Sequence, residues 1–359
     1  MNLQDLKAQR AAKRAEQATD FDPNGLAAPG QVYGLPYDER SAEVVIFPVP
    51  WEVTVSYAAG TAAGPEAMRE ASAQVDLYDP SVPNAWKMGL WMAPSSEKWA
   101  YKSERNRERA EAYLEALAEG LPTARLAKSL EKINAACDAM VDWVYAQTSH
   151  YLDQGQLVAL LGGDHSTPLG YIRALADRYP GMGILQIDAH MDLRKAYEDF
   201  TYSHASIMYN AMKHEGISKL VQVGIRDYCE EELEVMADLG ERISVYFDRD
   251  LKQAQFQGAT WAQQVEAMVA DLPQQVYLSF DIDGLDPKLC PHSGTPVAGG
   301  FEVEHILFLV ERVMASGRSL IGLDLNEVAP GPEGDWDANV GSRLLYRLCN
   351  LLGASNGRI

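Results

Sequence analysis

The chain has 359 residues, of which 47% are hydrophobic and 23% are charged, and its formal net charge is −20. This ordinary globular composition excludes a mostly disordered chain, a collagen-like repeat and a small disulfide scaffold. The sequence contains no apolar run of about 18 residues and no apolar secretory signal at its start, so we expect a cytoplasmic protein without a membrane-spanning helix.

The excess of acidic residues restricts the partners of the chain. Asp and Glu number 51 against 31 Lys and Arg, a balance that should repel nucleic acids and anionic membranes. It is compatible with a small cationic substrate, and also with an acidic surface that only confers solubility. The four cysteines have no CxxC spacing and are predicted to be free core thiols of a reducing compartment: Cys137, Cys229, Cys290 and Cys349.

The first part of the chain is less regular than the rest. Residues 1–40 are predicted to be an N-terminal extension, with a short charged helix or mobile arm before a Pro- and Gly-rich lead-in. Residues 41–359 are predicted to be a single domain whose first strand is 42–50. Residues 80–102 form an aromatic-rich insertion, expected to be a surface loop packed by its own aromatics or a subunit contact. Helices are predicted from Glu66, at 103–120 and at 124–155.

Apolar strands and helical stretches alternate through the remainder of the chain. The predicted strands are 156–163, 181–190, 219–227, 243–250, 275–283 and 318–328. The helices between and after them are expected near 167–179, 229–238, 259–271, 303–316 and 338–352. Because the strands are mostly continuous apolar runs, the pattern is typical of an α/β protein with a parallel sheet covered by helices on both faces.

Polar side chains accumulate where these strands end, which is where open α/β sheets bind ligands. Two of the groups have a spacing of two residues, so in an extended strand their side chains share one face. Together the strand ends supply two imidazoles and four carboxylates: His165, Asp188, His190, Asp192, Asp281 and Asp283. This set is too large for one catalytic zinc ion and suits two divalent ions such as Mn²⁺, Ni²⁺ or Co²⁺.

Each of these motifs alone has a simpler explanation. Residues 188–192 could form a surface turn, and residues 281–286 could form a solvated turn or a Ca²⁺ loop. Asp164 either orients His165 or caps the following helix. The combination favours a metal centre, because several buried carboxylates without a cation to balance them would be too costly.

Three sequence blocks resemble the signature blocks of the ureohydrolase family, which includes arginase, agmatinase, formimidoylglutamase and guanidinase. They are GGDHS at 162–166, DAHMD at 188–192 and SFDIDGLDP at 279–287, and the similarity covers roughly residues 40–352. The resemblance implies an arginase-like, three-layer α/β/α fold with a central, mostly parallel sheet. It also implies a dinuclear metal centre with all six ligand positions intact, in an amidinohydrolase that cleaves a C–N bond of a guanidine-like group.

The resemblance further implies roles for single residues. Two bound metals would lower the pKa of a bridging water, and the resulting hydroxide would attack the amidinium carbon. Asp192 would hold the proton of that hydroxide and pass it toward the leaving amine. His204 resembles the proton shuttle of the family, with an ordinary loop histidine as the alternative. Glu327 resembles the glutamate that pairs with the substrate guanidinium, with a buried structural ion pair as the alternative.

Within the family, the sequence resembles most closely the guanidine-hydrolase branch, whose members are nickel-dependent hexamers that cleave free guanidine. Related enzymes act on substituted guanidines, including the biguanide metformin. Four residues are then candidates for the pocket walls: Trp51, Thr54, Tyr57 and Trp336. Aromatic faces can hold a small cation, although these side chains could equally belong to the core. Ala58 stands where this branch has glycine, which leaves both guanidine and a biguanide open as substrate.

Several alternatives remain at this point. The chain could be an agmatinase or a formimidoylglutamase, a non-catalytic partner in a mixed ureohydrolase oligomer, or an acidic metal-storage protein. The expected cofactors are two divalent ions per subunit, with nickel preferred and manganese as the alternative. We expect a homo-oligomer, a trimer or hexamer as in the family, or a hetero-oligomer with a related subunit. No nucleic-acid or membrane partner is expected.

Overall fold

The structure, a computed structural model, describes residues 3–55 and 57–359. Within these residues, eight strands form one sheet in the order β2-β1-β3-β8-β7-β4-β5-β6, and every pair of neighbours is parallel. The strands are β1 Val44–Val49, β2 Leu90–Met92, β3 Leu157–Gly162, β4 Met182–Ile187, β5 Ile217–Ile225, β6 Ile243–Phe247, β7 Gln275–Asp281 and β8 Ser319–Asn326.

Helices cover both faces of this sheet, which confirms the predicted three-layer α/β/α architecture. In chain order they are α1 Leu3–Ala18, α2 Gly64–Ala71, α3 Glu97–Ala118, α4 Thr123–Asp153, α5 Leu169–Arg178, α6 Ile207–Ala211, α7 Glu230–Leu239, α8 Asp248–Phe256, α9 Trp261–Ala270, α10 Val303–Ala315 and α11 Trp336–Ser355. Among the described residues, no helix is both long enough and apolar enough to cross a membrane.

Two hydrophobic cores lie on opposite faces of the sheet because successive strand residues point to opposite sides. Val44 and Ile46 of β1 belong to the core that contains side chains of α2, α9, α10 and α11. Val45 and Phe47 belong to the other core, with side chains of α3, α4, α5, α6 and α7. Both faces are therefore buried, which is why the strands are continuous apolar runs in the sequence. Cys137, Cys290 and Cys349 are buried free thiols, and Cys229 is a partly buried one.

The aromatic-rich segment 80–102 is part of the fold rather than the predicted surface loop. It contributes the short edge strand β2 and the start of α3, which begins at Glu97 instead of near 103. Trp99 stacks on Trp143 with ring centroids 4.9 Å apart and meets Trp51 edge-on at 5.9 Å. The three tryptophans come from distant parts of the sequence. Their contacts therefore pack the insertion against the core of the protein.

The N-terminal extension forms the predicted charged helix, and this helix is fixed to the body. Arg14 of α1 donates a hydrogen bond of 2.7 Å to Glu43, just before β1. Lys13 pairs with Asp38.

A second difference from the sequence prediction concerns β6, which ends at Phe247, because Asp248 already begins α8. Met1, Asn2 and Ser56 lie outside the described residues.

Candidate metal centre

The candidate ligands converge because four adjacent strands of the sheet deliver them to one edge. β3, β8, β7 and β4 are neighbours in that order, and each carries its polar residues at or just beyond its carboxyl end. Parallel strands bring these ends together although they are far apart in the sequence. The side chains line a cavity with a volume of about 140 Å³ that includes His165, His190, Asp192, His204, Asp281 and Glu327.

The first group of candidate ligands surrounds His165. Its Nδ1 atom lies 3.1 Å from Oδ2 of Asp188, 3.1 Å from Oδ2 of Asp192 and 3.3 Å from Oδ2 of Asp281. All four side chains are buried. His165 Nδ1 has no hydrogen-bond partner within the described residues. The group thus offers one imidazole nitrogen and three carboxylate oxygens within a short radius.

The second group surrounds His190 and shares Asp188 with the first. Nδ1 of His190 lies 3.1 Å from Oδ2 of Asp283 and 3.5 Å from Oδ1 of Asp188. The side chain of His190 is 21% exposed, so this group is nearer to solvent. A carboxylate shared between two ligand groups suits a pair of bridged divalent ions. The structure therefore brings all six predicted ligands together.

Buried hydrogen bonds orient His165, and they involve two residues that the sequence analysis missed. Nε2 of His165 lies 2.9 Å from Oγ of Ser279, whose hydroxyl donates to Oδ1 of Asp324 at 3.2 Å. Since the hydroxyl proton is used on Asp324, Ser279 accepts the Nε2 proton of His165. The lone pair then lies on Nδ1, the atom that faces the three carboxylates, as a metal ligand requires.

Asp164 does not orient the ring of His165. Its side chain accepts hydrogen bonds from the backbone of Ser166, at 3.0 Å, and of Val53, at 3.2 Å. The alternative prediction, a local cap, describes this position better. Burial raises the pKa of Asp164 to about 6. Beside it, an added Cβ on Gly163 would lie 2.1 Å from the carbonyl oxygen of Trp51, so only glycine allows this close approach.

The electrostatics of the cavity reflect several acids in a small buried volume. Burial and the charge of Asp188 raise the pKa of Asp192 to about 7. Burial together with the charges of Asp283 and Asp188 raises the pKa of Asp281. Such crowding is unfavourable unless protons or cations compensate it. The donor set and the unpartnered Nδ1 atom of His165 therefore fit divalent cations.

Glu327 is held at the cavity with one oxygen free. Its Oε1 atom accepts a 2.8 Å hydrogen bond from the backbone N–H of His165. Its Oε2 atom is buried without a hydrogen-bond partner in the described chain. Glu327 has φ 65° and Asp192 has φ 54°. Left-handed backbone at non-glycine residues is strained and concentrates at functional sites.

His204 lies in the wall of the cavity. Its backbone N–H donates to Oγ1 of Thr54 at 3.2 Å, and its Nδ1 atom is 3.4 Å from the same hydroxyl. Burial lowers the pKa of His204 to about 3. The imidazole is therefore neutral at neutral pH.

The predicted aromatic pocket residues lie elsewhere. The described residues that line the cavity do not include Trp51, Tyr57 or Trp336. Trp51 is fully buried in the tryptophan cluster, whereas the side chain of Tyr57 is 80% exposed. Trp336 borders a separate groove beside α10 and α11. Only Thr54, through its contacts with His204, adjoins the site.

Six further residues line the cavity without having been predicted: Arg194, Tyr197, Ala205, Asp227, Glu232 and Thr295. The guanidinium of Arg194 lies 4.6 Å from the centroid of the Tyr197 ring. The carboxylate of Asp227 is 3.9 Å from Nε2 of His190. Asp227 ends the VGIRD segment, and its position beyond a strand end was the signal that could have identified it.

Comparisons with known proteins agree with this geometry. The model of the arginase family matches residues 42–350. An N(1)-aminopropylagmatine ureohydrolase of Synechocystis is 30% identical, covering 88% of this chain and 90% of the relative. An agmatinase of Halalkalibacterium halodurans is also 30% identical, covering 81% of this chain and 85% of the relative.

A solved structure shows the same fold. The agmatine ureohydrolase of Thermoplasma volcanium superimposes with a TM-score of 0.70 at 21% identity, covering 96% of this chain and 99% of that chain. The family predicted from the motifs is confirmed, and with it a metal-dependent amidinohydrolase. The names of these relatives agree with the agmatinase alternative rather than with the guanidine-hydrolase branch.

Proposed function

We propose that this chain, which belongs to the arginase family, hydrolyses the terminal amidino group of a small cationic guanidino compound. The observation that carries this proposal is the meeting of six imidazole and carboxylate side chains beside a glutamate oxygen without a partner. The first part of this arrangement suits metal ions, and the second suits a planar cation. The cavity can therefore bind both components of the reaction next to each other.

The ions would be held by His165, Asp188, Asp192 and Asp281 on one side and by Asp188, His190 and Asp283 on the other. Two divalent ions would supply a water molecule of lowered pKa and neutralise developing charge. Mixed imidazole and carboxylate donors accept both nickel and manganese. We propose nickel as the preferred ion and manganese as the alternative.

The remaining steps belong to side chains of the protein. Oε2 of Glu327 accepts hydrogen bonds from the guanidinium and fixes its plane, while the backbone of His165 holds Oε1. Asp192 takes a proton within the buried site. That proton passes through the neutral imidazole of His204 to the leaving nitrogen, which must depart as an amine. The hydroxyl of Thr54, 3.4 Å from Nδ1, keeps the imidazole of His204 in position.

The preferred substrate is an aliphatic guanidino amine of the agmatine type. Carboxylates of Asp227 and Glu232 line the cavity beyond the candidate metal ligands. A primary ammonium group at the far end of the substrate would find its counter-charge there. The names of the curated relatives, agmatinase and N(1)-aminopropylagmatine ureohydrolase, favour the same substrate class.

Free guanidine or a small biguanide such as metformin is the second candidate. Arg194 lines the same cavity and would repel a cationic tail. A substrate without such a tail avoids this repulsion, and the cavity volume of about 140 Å³ suits a small molecule. In this case guanidine would yield urea and ammonia, and metformin would yield guanylurea and dimethylamine.

Turnover of protein loaded with nickel or manganese distinguishes these candidates. Agmatine, guanidine, dimethylbiguanide and arginine would be supplied separately, with urea, ammonia and released amine measured. Urea from agmatine supports the first candidate. Ammonia and urea from guanidine, or dimethylamine from the biguanide, supports the second. Inactivity of metal-loaded protein on all guanidino compounds would overturn the proposal in favour of a partner subunit or a storage protein.

The metal centre has a test of its own. Asp283→Asn removes a carboxylate 3.1 Å from His190, and we expect both metal content and activity to fall sharply. Asp227→Asn, in the same cavity but outside the six candidate ligands, should keep its metals. Elemental analysis of the purified variants measures the difference. Two ions and normal turnover in Asp283→Asn would refute the assignment of this ligand.

A further inference from the structure

A second cavity lies at the end of the sheet where the strands begin, opposite to the metal centre at their carboxyl ends. We call it the amino-edge cavity. It has a volume of about 530 Å³ and is lined by Leu6, Gln9, Arg10, Lys13, Arg40 and Gln154. Arg40 and Gln154 shortly precede β1 and β3, whereas the metal centre follows the carboxyl ends of the strands. The two cavities are therefore separated by the length of the sheet.

The charge of the amino-edge cavity is opposite to that of the molecule. Among the described residues, its lining includes three cations and no carboxylate, in a chain with 51 acidic and 31 basic residues. Acidic groups do lie nearby, since Lys13 pairs with Asp38, and Glu39 is 4.0 Å from His150. The lining itself remains basic.

Arg10 lies at the floor of the amino-edge cavity, and neighbouring groups satisfy its hydrogen-bond donors only in part. Arg10 is 3% exposed, and its Nη2 atom donates to the carbonyl oxygen of Gln154 at 2.9 Å. Its Nε and Nη1 atoms have no hydrogen-bond partner within the described residues. Buried donors without partners are rare in folded proteins.

Behind this floor, one carboxylate forms ion pairs with three guanidinium groups. Glu43 lies 3.9 Å from Arg10, 2.7 Å from Arg14 and 3.3 Å from Arg358. Burial lowers the pKa of Arg10, and the charges of Arg358 and Arg14 lower it further against the opposing effect of Glu43. The cluster therefore has an excess of positive charge, and Arg10, its buried member with unpartnered donors, lines the cavity.

We propose that the amino-edge cavity binds the oxyanion group of a small ligand, a phosphate or a carboxylate. Arg10 would donate from the floor, and Lys13 and Arg40 would approach from α1 and from the segment before β1. The guanidinium fork of arginine matches both oxyanions in geometry and charge. Neither the metal centre nor the proposed reaction requires this site.

Calorimetric titration of metal-loaded, full-length protein tests the proposal, with inorganic phosphate and succinate as separate probes at constant ionic strength. We expect saturable binding of at least one probe, weakened about tenfold by Arg40→Gln and by Lys13→Gln. Arg105→Gln is the matched control, because it removes the same charge from an exposed pair with Glu108 on α3. Thermal unfolding of each variant verifies that it remains folded.

Three results would overturn this assignment. Absence of saturable binding by either probe would do so directly. Equal affinity in Arg40→Gln, Lys13→Gln and Arg105→Gln would place the anion elsewhere, including at the metals. A change of oligomeric state in Arg40→Gln, measured by light scattering, would mean that these cations hold a subunit contact instead. If Arg40→Gln and Lys13→Gln weaken the binding of phosphate alone, the cavity is a phosphate site. If they weaken the binding of succinate in parallel, it is a general oxyanion site.

Discussion

At the scale of single residues, the free oxygen of Glu327 makes the most direct prediction. Glu327→Gln removes the charge that should face the guanidinium, and a charge-assisted hydrogen bond contributes about 1.5–3 kcal/mol. We expect the KM of the accepted substrate to rise roughly 10- to 100-fold while metal content stays unchanged. Steady-state kinetics and elemental analysis measure both quantities.

A second variant tests the same oxygen without removing its charge. An added Cβ on Gly294 would lie 2.5 Å from Oε2 of Glu327, so Gly294→Ala should block substrate binding in the same way. The exposed residue Glu304 supplies the control substitution Glu304→Gln, which should leave the kinetics as they are. Unchanged KM and kcat in Glu327→Gln would remove the guanidinium-pairing role.

His204 makes a separate residue-scale prediction. His204→Ala should lower kcat by roughly 10²- to 10⁴-fold, the usual contribution of general acid–base catalysis, and should leave the two metals bound. His150→Ala is the control, since that side chain is 60% exposed and lies outside the cavity lining. A normal kcat in His204→Ala would exclude a proton shuttle at this position.

At the scale of secondary-structure elements, the tryptophan cluster predicts that the insertion stabilises the fold. Trp99→Ala removes contacts with Trp51 and Trp143. Truncation of a buried tryptophan to alanine lowers the free energy of unfolding by about 3–5 kcal/mol. Urea unfolding should show that loss, while Tyr101→Ala, on the same helix but 64% exposed, should change stability by less than about 0.5 kcal/mol. Equal stability of both variants would contradict a structural role for the cluster.

The elements also show which features a sequence can predict. The four strand ends of the metal centre were predictable because a long apolar run stops at a cluster of ionisable residues. The strand β2 was missed because it has three residues within a Pro- and Trp-rich segment. The start of α8 was missed because Asp248 directly follows the last residue of β6.

Side chains inside elements were harder to assign. Asp324 and Ser279 are polar residues within apolar strands, and their role depends on the register of β7 with β8, which pairs the two directly. Trp51 is a pocket candidate through the resemblance of its segment to the guanidine-hydrolase branch. Its burial against Trp99 and Trp143 depends on contacts over a long sequence separation, which local patterns do not contain.

At the scale of the whole molecule, buried tyrosines predict how stability depends on alkaline pH. Burial raises the pKa of Tyr37, Tyr113 and Tyr151 from the ordinary value of 10.0 to about 12. In Tyr113 a hydrogen bond to Asp199 adds to this shift. The folded state therefore retains these protons more strongly, so this stabilisation is complete below pH 10 and is lost as pH rises through about 12.

Urea unfolding at successive pH values measures this effect, with tyrosinate absorbance as an independent readout. The free energy of unfolding should decline over this alkaline range, and Tyr113→Phe should make the decline smaller. Tyr57→Phe, at a side chain that is 80% exposed, should leave the decline unaltered. A stability that stays constant between pH 10 and 12 would contradict the prediction.

The position of β8 determines when the metal centre can exist during synthesis. β8 is the last strand in the chain, yet it lies between β3 and β7 in the sheet. Until the ribosome has released it, the earlier strands can form only two separate half-sheets, β2-β1-β3 and β7-β4-β5-β6. His165 belongs to one half and the five other candidate ligands to the other. A nascent chain therefore cannot close the full site around metal ions, and both half-sheets expose an unpaired edge that invites pairing with other chains. Metal loading and protection from aggregation must both wait for the final strand.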